Sequence, residues 1–279
     1  MRFVSPNCSD LYPPNIEMKQ FPDGDDYVRV TEAKADGPVF LLHRLYPEQD
    51  RSLMQAMLML KTMKEKGYRT ALVAPYLPYS RQDKTFKEGE AKSAEYICEM
   101  LSWAGADRLI TFDCHFMKKV GEAEYGGLKI ASLSMGAELI EKAKEKMGED
   151  LEIVGPDLGA SYLVERSGGK SMEKTRGEYV KGGEAYRKIE GMKADFEVKG
   201  RNVLILDDMI STGSTMIRAA ETLKNKGAKR IAFAATHGFF LKDSLQRLKA
   251  LGDVFVSDSI PSPVSEVSIK RKIESLVGL

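Results

Sequence analysis

Cysteine is scarce. The 279 residues hold three, Cys8, Cys98 and Cys114, an odd number and widely spaced. That excludes a disulfide scaffold and a cysteine-built zinc site, and it fits a reducing cytoplasm. An excess of either charge is also missing. Against 42 Lys and Arg stand 41 Asp and Glu, a formal net charge of +1. A dedicated DNA or RNA binder carries a clear basic excess, so no nucleic-acid partner is expected. No apolar run approaches the roughly 18 residues that span a bilayer, so no membrane role is expected. The first residues, MRFVSPNCSD, lack an apolar stretch of signal-peptide length. No low-complexity tract occurs. With 43% hydrophobic and 30% charged residues, a disordered or collagen-like chain is excluded. A chain of this length suits two domains of about 120–150 residues and buries enough surface to fold without staples.

What is present is a repeating order: helix, glycine, short apolar strand. LMQAMLMLKTMKEKG leads to YRTALVAPYLPY, AEYICEMLSWAG to ADRLITFDCH, and AAETLKNKG to AKRIAFAATHG. Gly67, Gly105 and Gly227 stand where a helix end takes a left-handed residue. Strands that alternate with helices imply βαβ units and a parallel sheet covered on both faces. The similar endings LITFDCHF and IAFAATHGFF suggest two related α/β domains in tandem. The expected division is 1–130 and 131–279. The last segment, about 258–279, is expected to fold back on the first domain and to end in a short amphipathic helix. Residues 167–200 are rich in Gly, Lys and Glu, show no period, and read as a long functional or disordered loop.

The strongest chemical signal is VLILDDMISTGSTMIRAAETL, residues 203–223. An apolar strand over 203–206 runs into adjacent carboxylates, Asp207 and Asp208. A small-residue loop, Ser211, Thr212, Gly213, Ser214 and Thr215, then opens an amphipathic helix. The helix start offers unpaired N–H groups and a positive dipole end, which with the hydroxyls make a phosphate cradle. The carboxylates can accept bonds from neighbouring hydroxyls. A sugar with vicinal hydroxyls and a terminal phosphate satisfies both halves. A Thr-Gly-Ser-Thr loop alone would be an ordinary N-cap; the two carboxylates before it make the difference.

This stretch resembles the phosphoribosyl-diphosphate loop of type I phosphoribosyltransferases and of ribose-phosphate pyrophosphokinases. Other segments favour the second family. FPDGDDYVRV (21–30) resembles its DGE motif, PYLPYSRQDKTFKEGE (75–90) its Arg-Gln-Asp segment, and TFDCH (111–115) its strand ending in a metal-binding His. GPDLGA (155–160) resembles its Pro-Asp metal segment and EKTR (173–176) its Lys-x-Arg pair. The order matches over about residues 20–270, and the loop is most similar to the archaeal type. The resemblance implies two Rossmann-like phosphoribosyltransferase type I domains, with the active site between them. It implies an ATP- and Mg²⁺-dependent transferase of nucleotide biosynthesis. Such an enzyme passes the pyrophosphoryl group of ATP to O1 of ribose 5-phosphate, giving 5-phosphoribosyl 1-diphosphate and AMP. It further implies Lys174 and Arg176 as catalytic cations, with Arg176 also at ribose 5-phosphate. Asp23, Gly24, Asp25, Arg81 and Gln82 would hold ATP. Asp207, Asp208, Ser211, Thr212, Gly213, Ser214 and Thr215 would hold ribose 5-phosphate, and His115 and Asp157 would hold Mg²⁺. In the family the DGE segment is offered by a neighbouring subunit, so a homo-oligomer is expected.

Residue chemistry supports these roles unevenly. In an extended loop Lys174 and Arg176 point the same way, although on their own they read as solvated surface. His115 by itself fits a hydrogen-bonding role better than a Mg²⁺ site, because Mg²⁺ prefers oxygen; Asp157 is the better ligand by type. Asp25 stands where the family has Glu, Gln49 where Asn is common, and Ser214 where a second Gly is usual, a strained choice if that position needs positive φ. The segment SGGKS at 167–171 is not a Walker loop, since position 164 is Val164. Met54, Met57, Met59 and Met63 read as core or subunit contact. A transferase that consumes phosphoribosyl diphosphate would need neither the 81–83 segment nor the Lys-x-Arg pair. A non-catalytic paralogue would have lost residues that are all present here.

Overall fold

The structure is a computed structural model that describes residues 1–31, 37–179 and 187–277, with side chains described except at 174–179, 187–191 and 277. The chain divides into two compact units, Met1–Leu133 with Ile269–Leu279, and Ser134–Ser268. By contacts the division falls at 133/134, and the residues that rejoin the first unit begin at Ile269.

In the first unit the strands are β1 (Arg2–Val4), β2 (Ile16–Gln20), β3 (Asp26–Val30), β4 (Val39–Leu42), β5 (Thr70–Val73), β6 (Ala106–Phe112), β7 (Gly121–Tyr125) and β8 (Leu128–Leu133). Six of them form a sheet of order β1-β4-β5-β6-β8-β7. All its pairings are parallel except β7 with β8. The crossovers are α1 (Gln49–Glu65) and α2 (Ser93–Ala104). In α1 the buried Leu53, Ala56, Leu60 and Met63 fall at helical spacing, as do Ala94, Cys98, Leu101 and Ala104 in α2. Both stripes, Ala94 apart, join Phe3, Leu41, Leu72 and Leu109 in one core. Each fully buried Leu or Phe there contributes about 1.5–3 kcal/mol through removal from water. Met59 and Met63 are fully buried, whereas Met54 is 50% exposed. Strands β2 and β3 form a separate antiparallel hairpin.

The second unit contains β9 (Leu151–Gly155), β10 (Lys170–Ser171), β11 (Glu173–Tyr179), β12 (Arg187–Lys193), β13 (Asn202–Ile210), β14 (Arg230–Gly238), β15 (Asp253–Ser257) and β16 (Ser265–Val267). Its helices are α3 (Gly136–Met147), α4 (Ser161–Val164), α5 (Ser214–Asn225) and α6 (Ser244–Lys249); α7 (Lys270–Val277) follows in the part that rejoins the first unit. The sheet order is β10-β9-β13-β14-β15-β16, parallel throughout. The two strands with similar sequence endings, β6 and β14, hold the same fourth place in their sheets. Gly67, Gly105 and Gly227 have φ of 78°, 122° and 86°, the left-handed stops expected after helices. Among the described residues no helix is long and apolar enough to cross a membrane.

Two expectations need correction. The stretch 167–200 is not one loop: β11 and β12 pair as an antiparallel hairpin within it. Its polar residues hid the strands, because a two-stranded ribbon needs no apolar face to pair its backbone. The strand before the phosphate loop also does not stop at residue 206; β13 runs on to Ile210, so Asp207 and Asp208 lie inside it.

Candidate active site

In the second unit, β9 and β13 are parallel neighbours. Their C-terminal ends therefore deliver residues to the same sheet edge, where open α/β sheets bind ligands. β9 delivers Asp157, which caps the turn after it: its Oδ1 accepts the Gly159 N–H at 2.8 Å. β13 delivers Asp207 and Asp208. The Asp208 side chain is buried, and the Asp208 N–H donates to Asp207 Oδ1 at 2.9 Å. Burial pushes the Asp207 carboxyl well above the usual carboxylate range, and the charges of Asp208 and Asp157 push it further. A cation or a hydroxyl donor brought by a ligand would offset this repulsion.

The loop beyond β13 completes a cradle. Gly213 is the N-cap of α5 with φ 70°. A β-carbon on Gly213 would stand 3.2 Å from Ser244 Cβ and 3.3 Å from Leu248 Cδ1, so the left-handed conformation demands glycine and the space is tight. The Ile217 N–H bonds to Gly213 O at 2.9 Å. Helix geometry leaves the N–H groups of Ser214, Thr215 and Met216 pointing out of the helix start. The Thr212 and Ser214 hydroxyls lie 3.1 Å apart beside them. Ser214 is the first helical residue and does not have positive φ, so serine is unstrained there; Gly213 carries that demand instead. The segment after β14 braces this loop. Phe239 N–H bonds to Ile210 O at 2.9 Å and Leu241 N–H to Ser211 O at 3.0 Å. Ser244 Oγ donates to Ser211 O at 3.3 Å.

Lys174 and Arg176 lie in β11, but their side chains are outside the described residues. The pairing register shifts between Thr175 and Arg176. The extra residue at that shift falls in β12, opposite Thr175 and Arg176.

In the first unit, residues 21–25 form the turn of the β2–β3 hairpin. Phe21 N–H bonds to Asp25 O at 2.8 Å, Asp25 N–H bonds to Asp23 Oδ1 at 3.1 Å, and Gly24 has φ 103°. Asp23, Gly24 and Asp25 are all exposed at this tip. The turn end of the hairpin is tied down by Asp26, which pairs with Gln20 beside the turn. Asp26 takes Arg51 Nη2 at 2.7 Å, Arg51 Nε at 3.1 Å and Gln55 Nε2 at 2.9 Å. The Arg51 bonds hold its carboxyl below the usual range. Arg81 and Gln82 follow β5, and His115 follows β6, at the same edge of the first sheet. Arg81 is exposed; Gln82 and His115 are half-buried.

The other two histidines serve structure. His43 is buried between Ser5 Oγ and Ser52 O, both at 2.9 Å, and burial lowers its pKa to about 4. His237 is buried against Ser259 Oγ at 2.9 Å. Burial pushes the Cys8 thiol up to about 11 and Cys98 to about 12, so neither is a ready nucleophile. No group of three His, Cys, Asp or Glu among the described residues is arranged to hold a metal alone. Oxygen donors crowded until one resists ionisation suit Mg²⁺, which keeps water and shares substrate phosphates.

Comparisons with known proteins bear on the chain end to end. Residues 8–105 match the N-terminal domain of ribose phosphate pyrophosphokinase, and residues 136–269 match the phosphoribosyl transferase domain. The ribose-phosphate pyrophosphokinase of Pyrococcus furiosus is 38% identical over 269 residues, covering 94% of this chain and 92% of its own. That of Pyrococcus abyssi is 40% identical over 265 residues, covering 94% and 90%. The crystal structure of phosphoribosylpyrophosphate synthetase from Mycobacterium smegmatis aligns with a TM-score of 0.77 at 25% identity, over 100% of this chain and 97% of its own.

Proposed function

The chain belongs to the ribose-phosphate pyrophosphokinase family, and we propose a division of labour among its residues in that reaction. The enzyme transfers the pyrophosphoryl group of ATP to O1 of ribose 5-phosphate, giving 5-phosphoribosyl 1-diphosphate and AMP. One observation carries the residue assignment: paired carboxylates on β13 followed by a glycine-kinked loop at the start of α5.

Asp207 and Asp208 accept the ribose hydroxyls. Ser211, Thr212, Gly213, Ser214 and Thr215 take the 5-phosphate on N–H and hydroxyl groups, with the helix dipole behind them. Asp23, Gly24, Asp25, Arg81 and Gln82 hold the nucleotide. His115 and Asp157 are the protein groups offered to Mg²⁺, which when bound offsets negative charge on the ATP phosphates. Lys174 and Arg176 stabilise the charge that develops on the transferring group, and Arg176 also meets ribose 5-phosphate. Such a transfer needs little covalent help from the protein and depends on positioning and electrostatics.

The exposed tip of the β2–β3 hairpin supports a homo-oligomer in which the tip reaches a neighbour's nucleotide. An active 31.1 kDa monomer in light scattering would refute that. The three cysteines are free and buried, which supports a reducing compartment, the cytoplasm.

Separate Michaelis constants test the assignment. Asp207→Ala leaves ribose hydroxyls unpaired at a cost of about 1–3 kcal/mol and should weaken ribose 5-phosphate more than ATP. Arg81→Ala should do the reverse. Equal losses for both substrates in both variants would overturn it.

A further inference from the structure

Tyr79 has φ 61°, in the left-handed region. For a bulky side chain that is a genuine outlier, and it persists only where the surroundings over-determine it. Three contacts do so here. The Tyr79 hydroxyl donates to the Asp50 carboxylate, in the first turn of α1. The Gln82 N–H bonds back to Tyr79 O at 3.1 Å. The Gln82 carbonyl in turn accepts the Ala94 N–H at 3.2 Å, in the first turn of α2. Between them Ser80 is 1% exposed. The turn 79–82 is therefore anchored at two helix starts, and Arg81 leaves it toward solvent.

A tyrosine 40% exposed needs no left-handed backbone to be solvated. The conformation makes sense if the direction of the residues after it is what matters. We propose that Tyr79 is a positioning residue for the nucleotide, its hydroxyl bond to Asp50 fixing the direction in which Arg81 and Gln82 are offered to ATP. This rests on the assignment of Arg81 and Gln82 to ATP. The bond is charge-assisted but partly exposed. Its loss is worth about a fivefold change, below the roughly tenfold or more of a buried bond to a charged group because solvent screens it.

The test is steady-state kinetics and thermal melting of Tyr79→Phe, Asp50→Ala, the double variant and Arg81→Ala. Tyr79→Phe keeps the ring and removes only the hydroxyl. It should raise KM for ATP about fivefold, leaving KM for ribose 5-phosphate and the melting temperature unchanged. Asp50→Ala should raise KM for ATP to the same degree, and the double variant should add nothing, since the bond is already broken. A lower melting temperature with KM unchanged would make the bond a structural tie and overturn the proposal. Additive effects, or equal rises in both Michaelis constants, would also overturn it. If Arg81→Ala raises KM for ATP but Tyr79→Phe does not, the nucleotide assignment stands and the proposal falls. If Arg81→Ala leaves KM for ATP unchanged, the assignment fails and takes the proposal with it.

Discussion

Replacing Gly213 with alanine attacks the phosphate loop at its most constrained atom. Three contributions set the cost. Holding alanine in a left-handed conformation costs about 1–2 kcal/mol. The new β-carbon would meet Ser244 Cβ at 3.2 Å and Leu248 Cδ1 at 3.3 Å. Overpacking of that kind adds about 1 kcal/mol. Alanine also stiffens the unfolded chain, which returns about 0.4–1 kcal/mol. The net destabilisation is about 2 kcal/mol, a fall of roughly 4–8 °C in the melting temperature of a unit this size. Gly200 is the control, with φ 74° and nothing within 4 Å of a β-carbon. Gly200→Ala should cost only about 1 kcal/mol, the conformational part less the unfolded-chain gain. The second readout is binding. The Gly213 β-carbon pushes the start of α5 off the braced segment, so KM for ribose 5-phosphate should rise for Gly213→Ala and stay put for Gly200→Ala. If the two variants melt alike and bind ribose 5-phosphate like the parent, close packing around Gly213 does not shape the cradle.

Asp207 is ionised at a cost, since burial and its neighbours raise its pKa. Stability is therefore lost as pH climbs from the ordinary carboxylate value through the raised one. Asp207→Asn should melt higher than the parent at pH 7, with the gap narrowing toward pH 4, while ribose 5-phosphate binding collapses; a lower melting point at pH 7 would contradict this. Asp26 has the opposite sign: Arg51 depresses its pKa, so its contribution is present above the usual range and fades as acid protonates it. Asp26→Asn should destabilise by about 1–3 kcal/mol at pH 7, with the gap from the parent closing in acid, as read by pH-dependent melting. Lys174→Ala should lower kcat and kcat/KM together by about 10²–10³ with KM and melting unchanged, because a charge that acts on the transition state leaves ground-state binding alone. Unchanged kcat would return Lys174 to solvated surface.

The fold was readable where chemistry is periodic. Apolar runs such as VLIL and TALV have one use, a strand covered on both faces, and the glycines after the helices mark where each helix must stop. The phosphate loop was readable because Gly213 and its hydroxylated neighbours cannot easily serve another purpose beside two carboxylates. The hairpin of β11 and β12 was not, since its pairing is held by backbone bonds that leave no apolar signature in a Lys- and Glu-rich stretch. The register shift opposite Thr175 and Arg176 was hidden for the same reason. Asp26 looked like one more carboxylate in a DGDD run, and only the approach of Arg51 and Gln55 from α1 shows it to be a tether. Nothing in the sequence marks Tyr79 as left-handed, because its conformation comes from Asp50, 29 residues away in the chain. Local propensity reaches only as far as local contacts do.

The most direct measurement follows the β-phosphate. The protein is incubated with Mg²⁺, ribose 5-phosphate and ATP labelled at the β position, and the products are separated. AMP should appear one-for-one with 5-phosphoribosyl 1-diphosphate, and the label should travel to the sugar product. Label retained in ADP, or AMP formed without ribose 5-phosphate, would contradict pyrophosphoryl transfer by this chain.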